Sequence, residues 1–198
     1  MNTPIRLLDV RTLGGFSLKF GEREITPQWP NDISKVLFCT LLSPLDEYTT
    51  MERLCRSLWD LPATRNPGRR IAAMLEHLSC FLTDLTGINP LIVNEDRVGI
   101  DYRYVRVDAA QFYTHANDGT RQLMLGNRRA ALVNFHQADR LYRGQFLPGM
   151  HNRVISSTRE ELEETYQVVV ARRAASGARL LRSAGARQVD ELLTMMAA

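Results

Sequence analysis

The residues with spacing suited to chemistry are mostly cations, and they gather around one stretch, Pro67–Thr86. Arg69 and Arg70 stand side by side near its start, and Arg65 and Asn66 lie just before it. A guanidinium pair can hold phosphate oxygens or the acceptor edge of a guanine. An exposed arginine pair also serves plain surface solvation. Ala73 and His77 follow one and two turns later on the same side. His77 can reach a base edge, although a lone histidine more often has no such role. Two cations lie elsewhere. Lys35 is placed to clamp a phosphate, and Arg97 fits a minor-groove probe, opposed by its neighbours Glu95 and Asp96.

Other chemistries find little support. The run Gly144–Gly149, GQFLPG, lacks the glycine spacing and the lysine of a phosphate-binding loop. Glu160, Glu161, Glu163 and Glu164 suit a helix start, where acids balance the dipole, better than a metal centre. The histidines His77, His115, His136 and His151 show no HxxxH spacing, and no Ser, Cys or Lys sits in a nucleophile motif. No catalysis, metal or cofactor is expected.

The totals are those of a soluble globular protein, with 198 residues, 44% hydrophobic and 24% charged. That length suits one large domain or two small ones. No apolar run reaches the roughly 20 residues of a membrane span. The N-terminal MNTPIRLLDVRTLGG does not read as a secretory signal. Cys39, Cys55 and Cys80, odd in number and without metal-ligand spacing, read as buried thiols in a reducing cytoplasm. The net charge of +3 is unevenly divided. Residues 1–108 hold 13 Lys and Arg against 14 Asp and Glu, and residues 109–198 hold 12 against 8. The half with the candidate cations therefore has no overall basic character to attract phosphates.

The elements that must position these residues follow from periodicity. Ile71, Leu75, Leu78, Leu82 and Leu85 recur at steps of four, three, four and three, one stripe of an α-helix flanked by Met74 and Phe81. Pro67 suits its first position and Gly87 the residue after its end. Arg69, Ala73, Glu76, His77, Cys80, Thr83 and Asp84 then face outward, with Arg70 at the edge. Before it, Ile5–Val10 and Phe16–Phe20 read as strands, and Ile25 as the start of a third. A helix runs from Asp32, as its cap, to about Leu42, and another from Thr49 or Thr50 to Asp60. After it, Leu91–Val93 and Val98–Ile100 flank a four-residue turn and form a hairpin. From Val107 the pattern is helical. Asp108 caps a helix to about Asn117, with a further turn at Arg121–Leu125. A longer helix spans Asn127–Arg143. Another starts at the Ser157/Glu160 capping-box spacing and reaches toward Leu181, and a short helix spans Arg187–Met196.

This order gives an α+β winged helix-turn-helix of the response-regulator effector type over residues 1–106. An all-α, tetratricopeptide-like helical domain follows over residues 107–198. The expected cores hold Leu37, Leu41, Leu58, Ile71, Leu75, Leu78 and Leu82 in the first part, and Phe112, Phe135, Phe146 and Leu147 in the second.

Three stretches resemble the streptomycete antibiotic-regulator type of transcription factor. They are Leu13–Leu18 with Gly21–Ile25, then Leu54–Trp59, and lastly Val107–Phe112 with Tyr142–Gly149 and Arg159–Leu162 up to Tyr166. The resemblance implies a winged helix followed by a bacterial transcriptional activation domain. It implies a cytoplasmic regulator that binds double-stranded DNA and contacts RNA polymerase, another regulatory protein or a second protomer. The family usually places arginines late in the recognition helix, where this chain has Cys80, Leu82 and Thr83. The alternative is a protein-interaction adaptor that keeps the fold without the DNA affinity.

Overall fold

The computed structural model describes residues 7–43, 45, 48–58, 67–94 and 97–196, with the side chains of Pro67 and of residues 176–196 left aside. The first part opens with β1 (Leu8–Arg11), β2 (Ser17–Phe20) and β3 (Arg23–Ile25). Their inward residues Leu8, Val10 and Leu18 are buried, and the intervening Asp9, Arg11 and Lys19 point outward, the two-residue period of a half-buried sheet. The expected first strand began at Ile5. Residues 5 and 6 lie outside the described residues, and pairing extends one residue past the expected end, to Arg11.

Next comes α1 (Asp32–Leu41), capped by Asn31 rather than by Asp32. The Asn31 Oδ1 accepts the Ser34 backbone N–H at 2.8 Å, so the cap stands one residue earlier than the sequence suggested. The helix expected to start at Thr49 or Thr50 is preceded by a strand, β4 (Tyr48–Thr50), and α2 itself spans Met51–Leu58. Thr50 closes the strand and caps the helix together, its hydroxyl accepting the Arg53 N–H. Trp59, Asp60 and the loop up to Asn66 lie outside the described residues. α3 spans Pro67–Thr86, the bounds expected from its periodicity, and Gly87 follows in the left-handed region at φ 77°. β5 (Leu91–Asn94) and β6 (Arg97–Ile100) form the hairpin, and β4 pairs with β6 to make a three-stranded sheet.

A strand missed in the sequence, β7 (Val105–Val107), runs parallel to β1 and completes a four-stranded sheet of order β3-β2-β1-β7. It crosses residue 106 and leads directly into α4 (Asp108–Met124). That helix is continuous through Thr120, where the sequence suggested a break after Asn117. Val107 occupies the cap position, so Asp108 is not the cap that was expected. Its carboxylate instead accepts the Thr12 N–H, the Thr12 hydroxyl, the Leu13 N–H and the Ala109 N–H.

α5 (Arg128–Leu141) ends two residues before the expected Arg143. α6 (Arg153–Met196) begins before the expected Ser157, with the Asn152 side chain accepting the Ile155 N–H, and runs unbroken through the segment read as a separate short helix. The Ala, Leu, Arg and Glu positions that dominate this helix outweigh single Ser and Gly positions, each of which costs at most about 1 kcal/mol in a helix.

The two parts share one hydrophobic core. Leu8, Val10, Leu13, Ile71 and Leu78 belong to the same buried cluster as Phe112, Phe135, Phe146, Ile155 and Leu162. Of the expected core residues, Leu58 is only partly buried, and the others are enclosed. Polar contacts join the parts at two places. Around Gly14, the Gly14 N–H donates to Gln145 and the Leu147 N–H to Thr12, at 2.9 and 2.8 Å. A Cβ at Gly14 would meet the Arg143 carbonyl oxygen at 2.7 Å, so the close approach requires glycine. Between α1 and α6, Asn152 donates to the Thr40 hydroxyl, and Ser43 and Thr158 share a buried hydrogen bond of 2.7 Å. Leu147 takes a strained φ of 43°. The Arg159 guanidinium holds that loop in place by donating to the carbonyls of Phe146, Leu147 and Met150.

One glycine tests the packing of the helical part. Gly119 lies inside α4, where alanine is favoured by about 1 kcal/mol on helix propensity. A Cβ there would stand 2.6 Å from the Phe135 ring, which is fully buried and has no room to retreat. Overpacking costs about 1–3 kcal/mol and wins, so Gly119→Ala is expected to lower the denaturation midpoint. A raised midpoint in a urea titration would mean that the α4–α5 contact is looser than this.

Candidate nucleic-acid interface

α3 is held by its apolar stripe. Ile71, Leu75, Leu78 and Leu82 are each at most 1% exposed. Phe81 adds an aromatic contact to Trp29, 5.3 Å between ring centroids, and Trp29 in turn meets Phe38 and Phe16. The side away from the core exposes Arg69, Arg70, Ala73, Glu76, His77, Cys80 and Asp84, as the helical period requires, with Ala72 added to that face. Two arginines against Glu76 and Asp84 leave it neutral, with the positive charge at the N-terminal end. There the helix dipole also favours an anion.

The remaining candidates divide. Arg97 is exposed at the start of β6, in register with Asn94 of β5 and Thr50 of β4, at the base of the hairpin turn. Glu95 and Asp96, expected to oppose it, lie outside the described residues, as do Arg65 and Asn66. Lys35 is half-buried, with its ammonium 5.5 Å from the centroid of the Phe16 ring. That position places it beside the aromatic cluster of Phe16, Trp29 and Phe38. Two exposed cations on α2 went unremarked in the sequence, Arg53 and Arg56, the latter paired with Glu52. The signal was available, since both fall between the apolar positions Met51, Leu54 and Leu58.

Below the hairpin, Asp101 shapes the passage from β6 to β7. Its carboxylate accepts the Arg103 backbone N–H and is gripped by the Arg103 guanidinium. That hydrogen-bonded guanidinium holds the Asp101 carboxyl below the usual carboxylate range. Of the three cysteines, Cys39 and Cys55 are buried, and burial pushes the Cys39 thiol up to about 12. Cys80 corrects the expectation of three buried thiols. It is exposed, because its position on α3 falls on the outward side of the stripe. Among the described residues, no group of three His, Cys, Asp or Glu side chains is arranged to hold a metal ion. No helix among them is long and apolar enough to cross a membrane.

Residues 107–198 match the bacterial transcriptional activator domain. No curated protein matches the chain. Among solved structures, Mycobacterium tuberculosis EmbR, in complex with a low affinity phosphopeptide, superposes with a TM-score of 0.69 over 96% of this chain, at 16% sequence identity. This chain spans 50% of the length of the EmbR chain. With its strands, three helices and hairpin placed ahead of the matched helical domain, the chain has a winged helix-turn-helix fold followed by a bacterial transcriptional activator domain.

Proposed function

We propose that the protein is a cytoplasmic DNA-binding transcriptional regulator. In this reading, residues 1–106 engage the duplex and residues 107–198 contact RNA polymerase, another regulatory protein or a second protomer. α3 enters a major groove with Arg69 and Arg70 leading, and Arg97 approaches the flanking backbone or minor groove. The observation that carries this reading is the pairing of a fully anchored helix with an exposed, basic N-terminal end. A neutral outer face favours the second reading, a protein-interaction adaptor on the same fold.

Salt dependence separates the two. About three or four neutralised phosphates give a log–log slope near −3, since counterion release contributes roughly 0.9 per phosphate. Replacing Arg69 and Arg70 together with alanine is expected to remove about two units of that slope. It is also expected to weaken specific binding about tenfold or more, because a bidentate arginine–guanine pair contributes about 1–3 kcal/mol. The measurement is fluorescence anisotropy on duplexes enriched from the native genome, across a salt series, with wild type and the double variant. Tight binding indifferent to the substitution removes these arginines as the reading residues. No duplex bound at about 100 nM protein in roughly 0.1 M salt, conditions generous to typical specific affinities, removes the regulator in favour of the adaptor.

A further inference from the structure

The helical part carries a second cationic surface, on the outward side of α5. Arg129, Val133, His136 and Arg140 follow at steps of four, three and four, within about 60° of one another around the helix. All four are exposed, opposite the buried Ala131, Phe135 and Ala138. At the helical rise the stripe is roughly 16 Å long. Arg128 stands beside its start. Among the described residues, Arg128, Arg129 and Arg140 form no ion pair.

The formal charges around the stripe leave it positive. From Asp118 to Arg143 there are five arginines against two aspartates. The part of α6 that meets α5 adds Glu163, bonded to Tyr142, and Arg173, paired with Asp139. Those two cancel, so five cations against two acids leave the region at +3. The other acids at the start of α6 turn elsewhere. Glu160 and Glu164 lie opposite the buried Leu162, and Glu161 lies on the flank away from Glu163. The start of α5 also departs from a local rule. Two arginines occupy its first turn with no acid, and the Asn127 side chain makes no capping bond. Cations there oppose the helix dipole, so helix stability does not account for them.

We propose that this stripe docks an acidic amphipathic helix of a partner protein. The proposal rests on the reading that residues 107–198 meet a protein, which the regulator and the adaptor share. Carboxylates at matching spacing would meet the guanidinium forks of Arg129 and Arg140, and an apolar side chain between them would cover Val133. Apolar exposure favours a protein over a nucleic-acid backbone. Val133 is 58% exposed in the middle of the stripe, and the turn leading into α5 exposes Met124 and Leu125 at 80% and 66%. Phosphates would leave these residues uncovered.

The probe is a fluorescein-labelled helical peptide with leucine at one position and glutamates placed around it at the spacing of Arg129, His136 and Arg140 about Val133. It is titrated with the full chain by fluorescence anisotropy. Wild type is expected to saturate with a Kd below about 100 μM, and Arg129→Glu/Arg140→Glu to weaken binding about tenfold or more. Arg23→Glu/Arg172→Glu carries the same net charge away from the stripe and should bind as wild type does. Arg128→Glu/Arg129→Glu is expected to weaken binding while raising the urea midpoint, since acids suit a first turn. A merely structural role would lower both. No saturation up to about 1 mM peptide overturns the proposal, as does equal loss in the Arg23/Arg172 control. Loss of random-sequence duplex binding in Arg129→Glu/Arg140→Glu with peptide binding intact would make the stripe a phosphate surface instead. Self-association of wild type that this variant abolishes, seen by sedimentation, would make the occupant a second copy. Purified RNA polymerase bound equally by wild type and the variant, with no peptide bound, would remove the stripe and keep the reading it rests on. The peptide assay contains no DNA, so its failure leaves the Arg69/Arg70 test untouched.

Discussion

Replacing Leu78 with aspartate is expected to cost about 3–5 kcal/mol, by analogy with buried charges left without a partner. Leu78 is fully enclosed at the centre of the α3 stripe, between Leu75 and Leu82. A carboxylate there would lose its water and find no cation in exchange, and the apolar contacts of the leucine would be lost as well. For a chain of this size, 1 kcal/mol moves the melting temperature by roughly 2–4 °C. The drop should therefore be about 6–20 °C by circular dichroism. Cys80→Asp, two residues along on the exposed side, provides the control and should stay within about 0.5 kcal/mol. If the two variants melted alike, the burial assigned to the stripe would be wrong.

That contrast between adjacent positions is the kind of information the sequence carried well. A 20-residue helix with five leucine or isoleucine positions in phase leaves little freedom about which side is buried. The hairpin was equally legible, since two β-rich runs around a polar turn pair locally. The buried phenylalanines Phe112, Phe135 and Phe146 followed from helical spacing and a glycine-bounded loop.

What escaped was set by partners far away in the chain. Val105–Val107 is too short to show a period, and it is a strand only because Leu8–Val10, almost a hundred residues earlier, offers a free edge. Tyr48–Thr50 likewise becomes a strand by pairing with β6, although its threonines alone suggested a helix start. α4 runs past the expected end at Asn117, and Gly119 inside it is a contact residue that lets Phe135 approach.

The candidate site was legible in part. Arg69, Arg70, Ala73 and His77 share the exposed side of one helix, as their spacing required. The place of Lys35 over the Phe16 ring was not legible, because no local pattern reveals a cation over an aromatic ring from another element. The close approach of Gly14 to the Arg143 carbonyl was invisible for the same reason. It exists only once β1 and the end of α5 are brought together.

Asp108, which ties the turn after β1 to the start of α4, makes the second large prediction. Asp108→Ala is expected to cost about 2–5 kcal/mol. It removes the acceptor of two backbone N–H groups, those of Thr12 and Leu13, on residues that are both 0% exposed. A buried donor left without an acceptor costs about 1–3 kcal/mol. Loss of the acid from the first turn of α4 adds about 0.3–1 kcal/mol through the helix dipole. Asp108→Asn should be milder without being neutral. Its amide oxygen can still serve Thr12, but its NH₂ would then face the Leu13 N–H, donor against donor. Because Asp108 joins β1 to α4 within one continuous core, the loss should register in both parts together. Both tryptophans lie in the first part, so their fluorescence reports on the winged helix, while ellipticity draws heavily on α4, α5 and α6. Wild type is expected to show the same urea midpoint by both signals, and Asp108→Ala a common, lower one. A fall in the fluorescence midpoint alone would mean that the carboxylate supports only the Thr12–Leu13 turn and does not couple the two parts. Unchanged midpoints by both signals would show that water replaces it at no cost.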